Sequence, residues 1–368
     1  MLKFKPLLTP TKNLIKFLKQ IDKNRYYSNF GPLYYRCKKL IENKFNLKKN
    51  KVVFTSSGHS SILACLYFIK NLTSKKYIIT TSFNFFAAPQ SIVQAGFIPY
   101  FIDINIKTLH YCEQDFINIP KKILNNLACI IIPSPMGMPI DIKKLKQLKK
   151  KFKCELIYDA ADTFNNLNKN LNELNFFTVL SFHPTKDFGA NESGLIICKK
   201  EYESKIENII SFGADKKHKK SSSIGFNGKF SEYDAAIFLA NYFANNKFQK
   251  KIKKNSIYFR KKFYNLKKKD IILHEDFGNK WFSSKICFIS KKLKFSILKK
   301  KFLRNGIEIF NVWSIKPMSY QKNFENIKST KLSNTKKYAD KIFGISINKN
   351  YDKKELDLIS NSIDNIFK

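Results

Sequence analysis

The sequence predicts an α/β protein built on a large, mostly parallel sheet, with a small α+β domain at its carboxyl end. Three observations carry this reading. Between residues 50 and 200, short apolar runs alternate with amphipathic stretches, the pattern of strands covered on both faces by helices. Beyond residue 250, strand-like runs lie between two helical patterns. A chain of 368 residues also exceeds one ordinary core, so two domains are expected, 1–250 and 251–368.

Strands are expected at 52–54, 77–80, 100–103, 129–132, 155–158, 177–182 and 195–198, each an apolar run rich in β-formers. Helices fit between them at 60–70 and 142–151. The second carries Ile142, Leu145, Leu148 and Phe152 on one face and its lysines on the other. Ser231 with Asp234 forms a capping-box pattern opening a helix over 232–245. The lysine-rich segment 247–254 is read as the domain boundary. Strands at 286–288 and 307–310 follow, and a last helix begins at Asp352 and carries Leu356, Ile359, Ile363 and Ile366 on one face.

The formal charge of +40 invites a nucleic-acid partner, but only four arginines are present, and arginine supplies the bidentate fork that reads bases and phosphates. The lysines are spread along the whole chain beside abundant Ile, Asn and Phe, as a solvated surface under compositional bias would be. No nucleic-acid partner is expected, although the charge suits an anionic substrate. No run approaches the ~18 apolar residues that span a bilayer, and the start at Met1 lacks the apolar core of a secretory signal. Seven scattered cysteines, none in a Cys-x-x-Cys pair, suit a reduced, cytoplasmic protein.

Four features converge at the expected carboxyl edge of the sheet, where α/β proteins place their chemistry. Thr55–Ser61 joins a strand to a helix with small residues, suited either to a phosphate at the helix N-terminus or to an ordinary cap. Ser82-Phe83-Asn84-Phe85 offers rings that belong to the core unless a planar ligand is present. Tyr158-Asp159-Ala160-Ala161-Asp162 ends a strand with a carboxylate: a helix cap, a metal ligand, or a partner for a protonated ring nitrogen. Ser181-Phe182-His183-Pro184-Thr185-Lys186 delivers a lysine that desolvation can make nucleophilic and able to form a Schiff base. Phosphate cradle, ring, aspartate and lysine in this order describe a pyridoxal 5′-phosphate site.

The same order and spacing resemble the DegT/DnrJ/EryC1/StrS family of sugar aminotransferases. The resemblance runs through Asn29-Phe30-Gly31-Pro32-Leu33, Gly58-His59-Ser60-Ser61, Ser82-Phe83-Asn84-Phe85-Phe86-Ala87, Gly96-Phe97-Ile98-Pro99-Tyr100 with Asp103, Gly137-Met138-Pro139 with Asp141, the Lys186 motif and Gly225-Phe226-Asn227. It implies an aspartate-aminotransferase-like fold (fold type I of pyridoxal-phosphate enzymes), a homodimer with shared active sites, and transfer of an amino group from L-glutamate to a nucleotide-linked keto-deoxysugar for polysaccharide or lipopolysaccharide synthesis. Lys186 would hold the cofactor as a Schiff base and move the proton. Asp159 would pair with the ring nitrogen, and Phe85 would stack on the ring. Backbone groups of His59 and Ser60, with the Ser181 hydroxyl, would bind phosphate, and Asn227 would reach it from a second copy. Asp162 stands where the family has Gln or His beside the phenolic oxygen, and a carboxylate there repels a phenolate unless protonated or turned away. His59 replaces Thr, Lys229 replaces Arg, and Asn191-Glu192-Ser193-Gly194 replaces a glycine-rich turn. A sugar dehydratase of the same fold, which carries His at the Schiff-base position, and a non-catalytic relative are the alternatives.

Overall fold

The computed structural model describes residues 1–3, 6, 8–167, 171, 174–215, 219–347 and 350–368. Helices α1 (Ile15–Asn24) and α2 (Pro32–Lys44) precede the first strand. The large sheet comprises β1 (Asn50–Thr55), β2 (Tyr77–Thr81), β3 (Ile98–Ile102), β4 (Leu127–Pro133), β5 (Glu155–Asp159), β6 (Phe177–Ser181) and β7 (Gly194–Lys199), in the order β1-β7-β6-β5-β4-β2-β3. Strands β2 to β6 run parallel, and β7 is antiparallel to both β1 and β6. Helices α3 (Gly58–Lys70), α4 (Ala87–Gln94), α5 (Lys121–Asn125), α6 (Ile142–Phe152) and α7 (Glu203–Ile209) connect the strands. The central strands are buried along nearly their whole length, as expected where both faces are covered. All seven expected strands are present, with ends displaced by one or two residues.

A two-stranded ribbon, β8 (Ala214–Asp215) with β9 (Lys220–Ser221), leads into α8 (Glu232–Asn265). The expected capping box forms at Ser231 and Asp234. The helix then passes through the lysine run at 247–254 and continues to Asn265, so the boundary expected near residue 250 falls inside it. Lysine is a good helix former, and solvated lysines on one face do not interrupt apolar residues on another. Ala235, Phe238 and Leu239 enter the core beneath the large sheet, whereas Phe259 and Phe263 enter the core of a second sheet.

That second sheet, β10 (Ile271–Leu273), β11 (Lys285–Ser290), β12 (Ile309–Asn311) and β13 (Ile342–Ser346), is antiparallel throughout in the order β10-β11-β13-β12. Helices α9 (Phe295–Arg304), α10 (Ser333–Tyr338) and α11 (Lys353–Ile366) accompany it, α11 opening with the expected cap at Asp352. The chain start belongs here too. Leu2 N donates to Gly306 O (2.7 Å), Glu308 N donates to Leu2 O (2.9 Å), and the Leu2 side chain packs on this core. A further cluster including Phe83, Met136, Cys287, Ile289 and Val312 joins the two sheets.

Candidate active site

The turn after β6 rests on aromatic packing. Phe182 and Phe188 meet edge to face at 5.4 Å, Phe188 stacks on Phe164 at 4.5 Å, and all three are buried. Lys186 N donates to His183 O and Ala190 N to Phe182 O, both at 2.8 Å, which closes the loop over this base. Gly189 is required there, because a Cβ would lie 2.6 Å from Pro184 O. The turn therefore presents Lys186 to a cavity of about 550 Å³ at the carboxyl edge of the sheet. Desolvation holds the Lys186 amine below its ordinary pKa; the Asp162 charge opposes this and Lys285 adds to it.

Asp159, at the end of β5, lines the same cavity and is 9% exposed. Its Oδ1 accepts from Ala161 N (3.2 Å), and burial pushes its carboxyl up to about 6, moderated by Lys186. A buried carboxylate with one weak protein donor and an open side toward a cavity is suited to a cationic N–H partner.

The N-terminus of α3 forms another wall. Ser57 caps it, accepting from Ser60 N at 3.0 Å, and Ser60 Oγ lies 2.9 Å from the hydroxyls of both Ser56 and Ser57. The Ser60 amide, expected as an anion donor, is thus engaged by Ser57. The orphan amides of the first turn at Gly58 and His59 are left for an anion. The His59 ring turns toward α4, 2.9 Å from Gln94 Oε1 and 3.3 Å from Ser91 Oγ, so its imidazole does not substitute for the missing threonine hydroxyl. Ser181 faces this terminus closely: a Cβ on Gly58 would lie 2.8 Å from Ser181 Cβ. Gly194 of β7 approaches from behind, where a Cβ would lie 2.3 Å from Ser57 O. Gly194→Ala is therefore expected to lower stability by about 1–3 kcal/mol, read as a fall in the thermal midpoint.

Phe85 stands at the rim, 55% exposed, with its ring free of the core. Asn227 is not at the cavity. It lies exposed, its Oδ1 accepting from Lys229 Nζ at 2.7 Å. At the mouth, His183 pairs with Glu192 (3.1 Å) and its Nδ1 lies 2.8 Å from Thr185 Oγ1, so His183 braces the turn.

Asp162 also lines the cavity, but both of its carboxylate oxygens are engaged by the protein. Its Oδ2 is ion-paired with Lys285 Nζ of β11, and its Oδ1 accepts from Asp187 N at 3.0 Å; both side chains are almost fully buried. Lys285 also donates to Thr185 O (2.9 Å), and Asp187 Oδ1 accepts from Ser284 N (3.0 Å). Lys285, Ser284 and Trp313, the last lining the cavity, are site residues that the sequence did not disclose, whereas Ser57 falls in the segment read as a phosphate site or cap. Lys285→Met is expected to lower stability by about 3–5 kcal/mol, because it leaves the Asp162 charge buried without its partner. Paired replacement, Lys285→Met with Asp162→Leu, should recover most of that loss in a denaturant titration.

The residues present fit pyridoxal 5′-phosphate. An amine-bearing turn, a carboxylate open to the cavity, and a helix N-terminus that only glycine lets close against Ser181 match its aldehyde, ring nitrogen and phosphate. Fold and site together define the class, a fold type I aminotransferase scaffold. Solved chains bear out the fold: one from Bacillus cereus aligns with a TM-score of 0.88 over 98% of both chains at 24% identity. A DegT DnrJ EryC1 StrS aminotransferase from Brucella abortus aligns with a TM-score of 0.83 over 97% of this chain and 95% of that one, at 15% identity. The chain belongs to the DegT/DnrJ/EryC1/StrS aminotransferase family, whose description matches residues 10–364.

Among similar proteins is a dTDP-4-amino-4,6-dideoxy-D-glucose transaminase of Shigella dysenteriae, 29% identical over 238 residues, covering 64% of this chain and 62% of that protein. A 3-oxo-glucose-6-phosphate:glutamate aminotransferase of Bacillus subtilis is 28% identical over 230 residues, 60% of this chain and 49% of that protein. The chain thus spans less than two thirds of the length of these relatives. No helix among the described residues is long and apolar enough to cross a membrane.

Proposed function

We propose that this chain is a pyridoxal-phosphate-dependent aminotransferase that transfers an amino group from L-glutamate to a nucleotide-linked keto-deoxysugar. The observation that carries the reading is the meeting of Lys186, Asp159 and the α3 N-terminus in one cavity. When bound, the cofactor supplies a carbonyl carbon and an electron sink for the pair released from a broken C–H bond. Lys186, its amine held below its ordinary pKa by desolvation, provides the nucleophile and then carries a proton between the two carbons that flank the transferred nitrogen. Asp159 holds the proton on the ring nitrogen. Gly58 and His59 amides with Ser181 bind the phosphate, and Phe85 covers one ring face.

Commitment of Asp162 to Lys285 removes the repulsion that a carboxylate near the phenolic oxygen would otherwise exert. Retention of Lys186 favours transamination over dehydration, and the names of the Shigella and Bacillus relatives support a sugar acceptor. The excess of lysine suits a diphosphate-bearing substrate. In the same reading the protein is a cytoplasmic homodimer, Asn227 of one copy serves the phosphate of the other, and the product enters polysaccharide or lipopolysaccharide.

The test is the absorption spectrum of purified protein with pyridoxal phosphate, before and after L-glutamate. A visible band that glutamate bleaches, and that a keto-sugar nucleotide restores, is the expected result. Absence of any band would overturn the assignment in favour of a non-catalytic relative.

A further inference from the structure

Lys186 is the nucleophile of the reading above, and three carboxylates act on it electrostatically: Asp162 most strongly, then Asp159 and Asp187. Any of them could convert a reactive amine into an inert ammonium ion pair. Yet among the described residues no ion pair holds the Lys186 amine, whereas two of the three carboxylates are engaged elsewhere. Asp162 is paired with Lys285. Asp187, the next residue in the chain, is held through Oδ1 by Ser284 N at 3.0 Å and by the Ser284 hydroxyl. Lys285 opens β11 of the second sheet and Ser284 immediately precedes it. Asp159 and Asp162 both line the cavity, and of the two only Asp159, the expected partner of the ring nitrogen, has no ion pair among the described residues.

Lys285 also grips the backbone. Its Nζ donates to the carbonyl of Thr185, the residue immediately before Lys186. One buried ammonium, 6% exposed, thus fixes both a competing carboxylate and the peptide that carries the nucleophile. Lys285 does not line the cavity; it acts through these contacts and through its charge, which also disfavours the Lys186 ammonium.

We propose that Lys285 is a positioning residue for Lys186: it holds Asp162 and the Thr185 carbonyl on the small-sheet side and keeps the Lys186 amine available to a carbonyl carbon. The proposal rests on the reading of Lys186 as the carbonyl-reactive lysine. The charged groups facing that amine are Asp159 from β5, Asp162 from the loop after β5, Asp187 from its own turn and Lys285 from β11, with the His183–Glu192 pair at the mouth. Removal of Lys285 releases Asp162 toward the amine, which then titrates as an ion pair at higher pH.

The experiment uses the full chain without cofactor. Reductive methylation with formaldehyde and cyanoborohydride reports the unprotonated amine, and mass spectrometry of the Lys186 peptide isolates it from the other lysines. In the wild type, the half-labelling pH of Lys186 should lie below that of the surface lysines. Lys285→Met is expected to raise it by about one unit or more, with about tenfold less labelling at pH 7. Adding Asp162→Asn to Lys285→Met should bring the midpoint back, because the released carboxylate at Asp162 is gone while Asp159 and Asp187 are as in the wild type. A folded Lys285→Met chain with the wild-type midpoint would overturn the proposal, as would a double variant displaced as far as the single one. Should Lys285→Met fail to fold, Lys285→Gln keeps a donor without the charge, and the same midpoint decides. If wild-type protein shows no cofactor band yet these shifts occur, the positioning role stands and only the aminotransferase reading falls.

Discussion

Lys186→Ala is expected to give a folded chain that develops no protein-bound visible band with pyridoxal phosphate and turns over at least about four orders of magnitude more slowly than the wild type. Folding should survive, because the turn is fixed by Phe182, Phe188 and backbone hydrogen bonds rather than by the lysine side chain. Removal of the amine also relieves a desolvated charge, so the thermal midpoint of the cofactor-free protein should hold or rise. Wild-type turnover in this variant would end the mechanistic reading, since no other lysine lines the cavity among the described residues. Circular dichroism separates a lost nucleophile from a lost fold.

Asp159→Asn should reduce turnover by about two to three orders of magnitude, because a neutral amide does not hold a proton on the ring nitrogen. Its effect on stability has the opposite sign. Burial raises the Asp159 carboxyl to about 6, above its ordinary value of 3.8. A carboxyl raised on folding favours the native state most at pH values below its unfolded pKa. That contribution fades as pH climbs from about 4 through about 6, and it is absent above. At pH 8 the cofactor-free wild type therefore bears the cost of a buried charge, at most about 3 kcal/mol for two pKa units. Asparagine does not bear it. Cofactor-free Asp159→Asn is expected to melt above wild type at pH 8 and level with it near pH 4, while pyridoxal phosphate narrows the gap at pH 8. A variant less stable at pH 8 would show that Asp159 is satisfied by the protein and is not poised for a cationic partner.

The strands, the helix caps and the order of Gly58, Phe85, Asp159 and Lys186 were legible in the sequence because each depends on local pattern: apolar period, small residues before a helix, a polar residue at a strand end. Lys285 was not. It is one of many lysines, and nothing local distinguishes a lysine that is buried from those that are solvated. Its role arises from packing two sheets together across 123 positions of sequence, a pairing that no periodicity announces. The engagement of Ser60 by Ser57 was missed for the opposite reason: two adjacent hydroxyls in a serine run compete for the same amide, and only geometry selects between them. The extent of α8 was misjudged because a lysine run is equally compatible with a linker and with a solvated helix face. What resolves it is Phe259 and Phe263 beyond the run, each finding a core to enter.

The continuity of α8 bears on how the protein can be cut. At 1.5 Å per residue its 34 residues form a rod about 50 Å long, anchored at one end under the large sheet and at the other under the small one. Severing the chain at residue 250 would divide a single helix and leave each fragment with a frayed half and an uncovered apolar surface. Neither piece would behave as a free-standing unit in dissection, domain exchange or limited proteolysis. Loss of either core should propagate along the shared rod to the other, so that the whole chain melts in one transition.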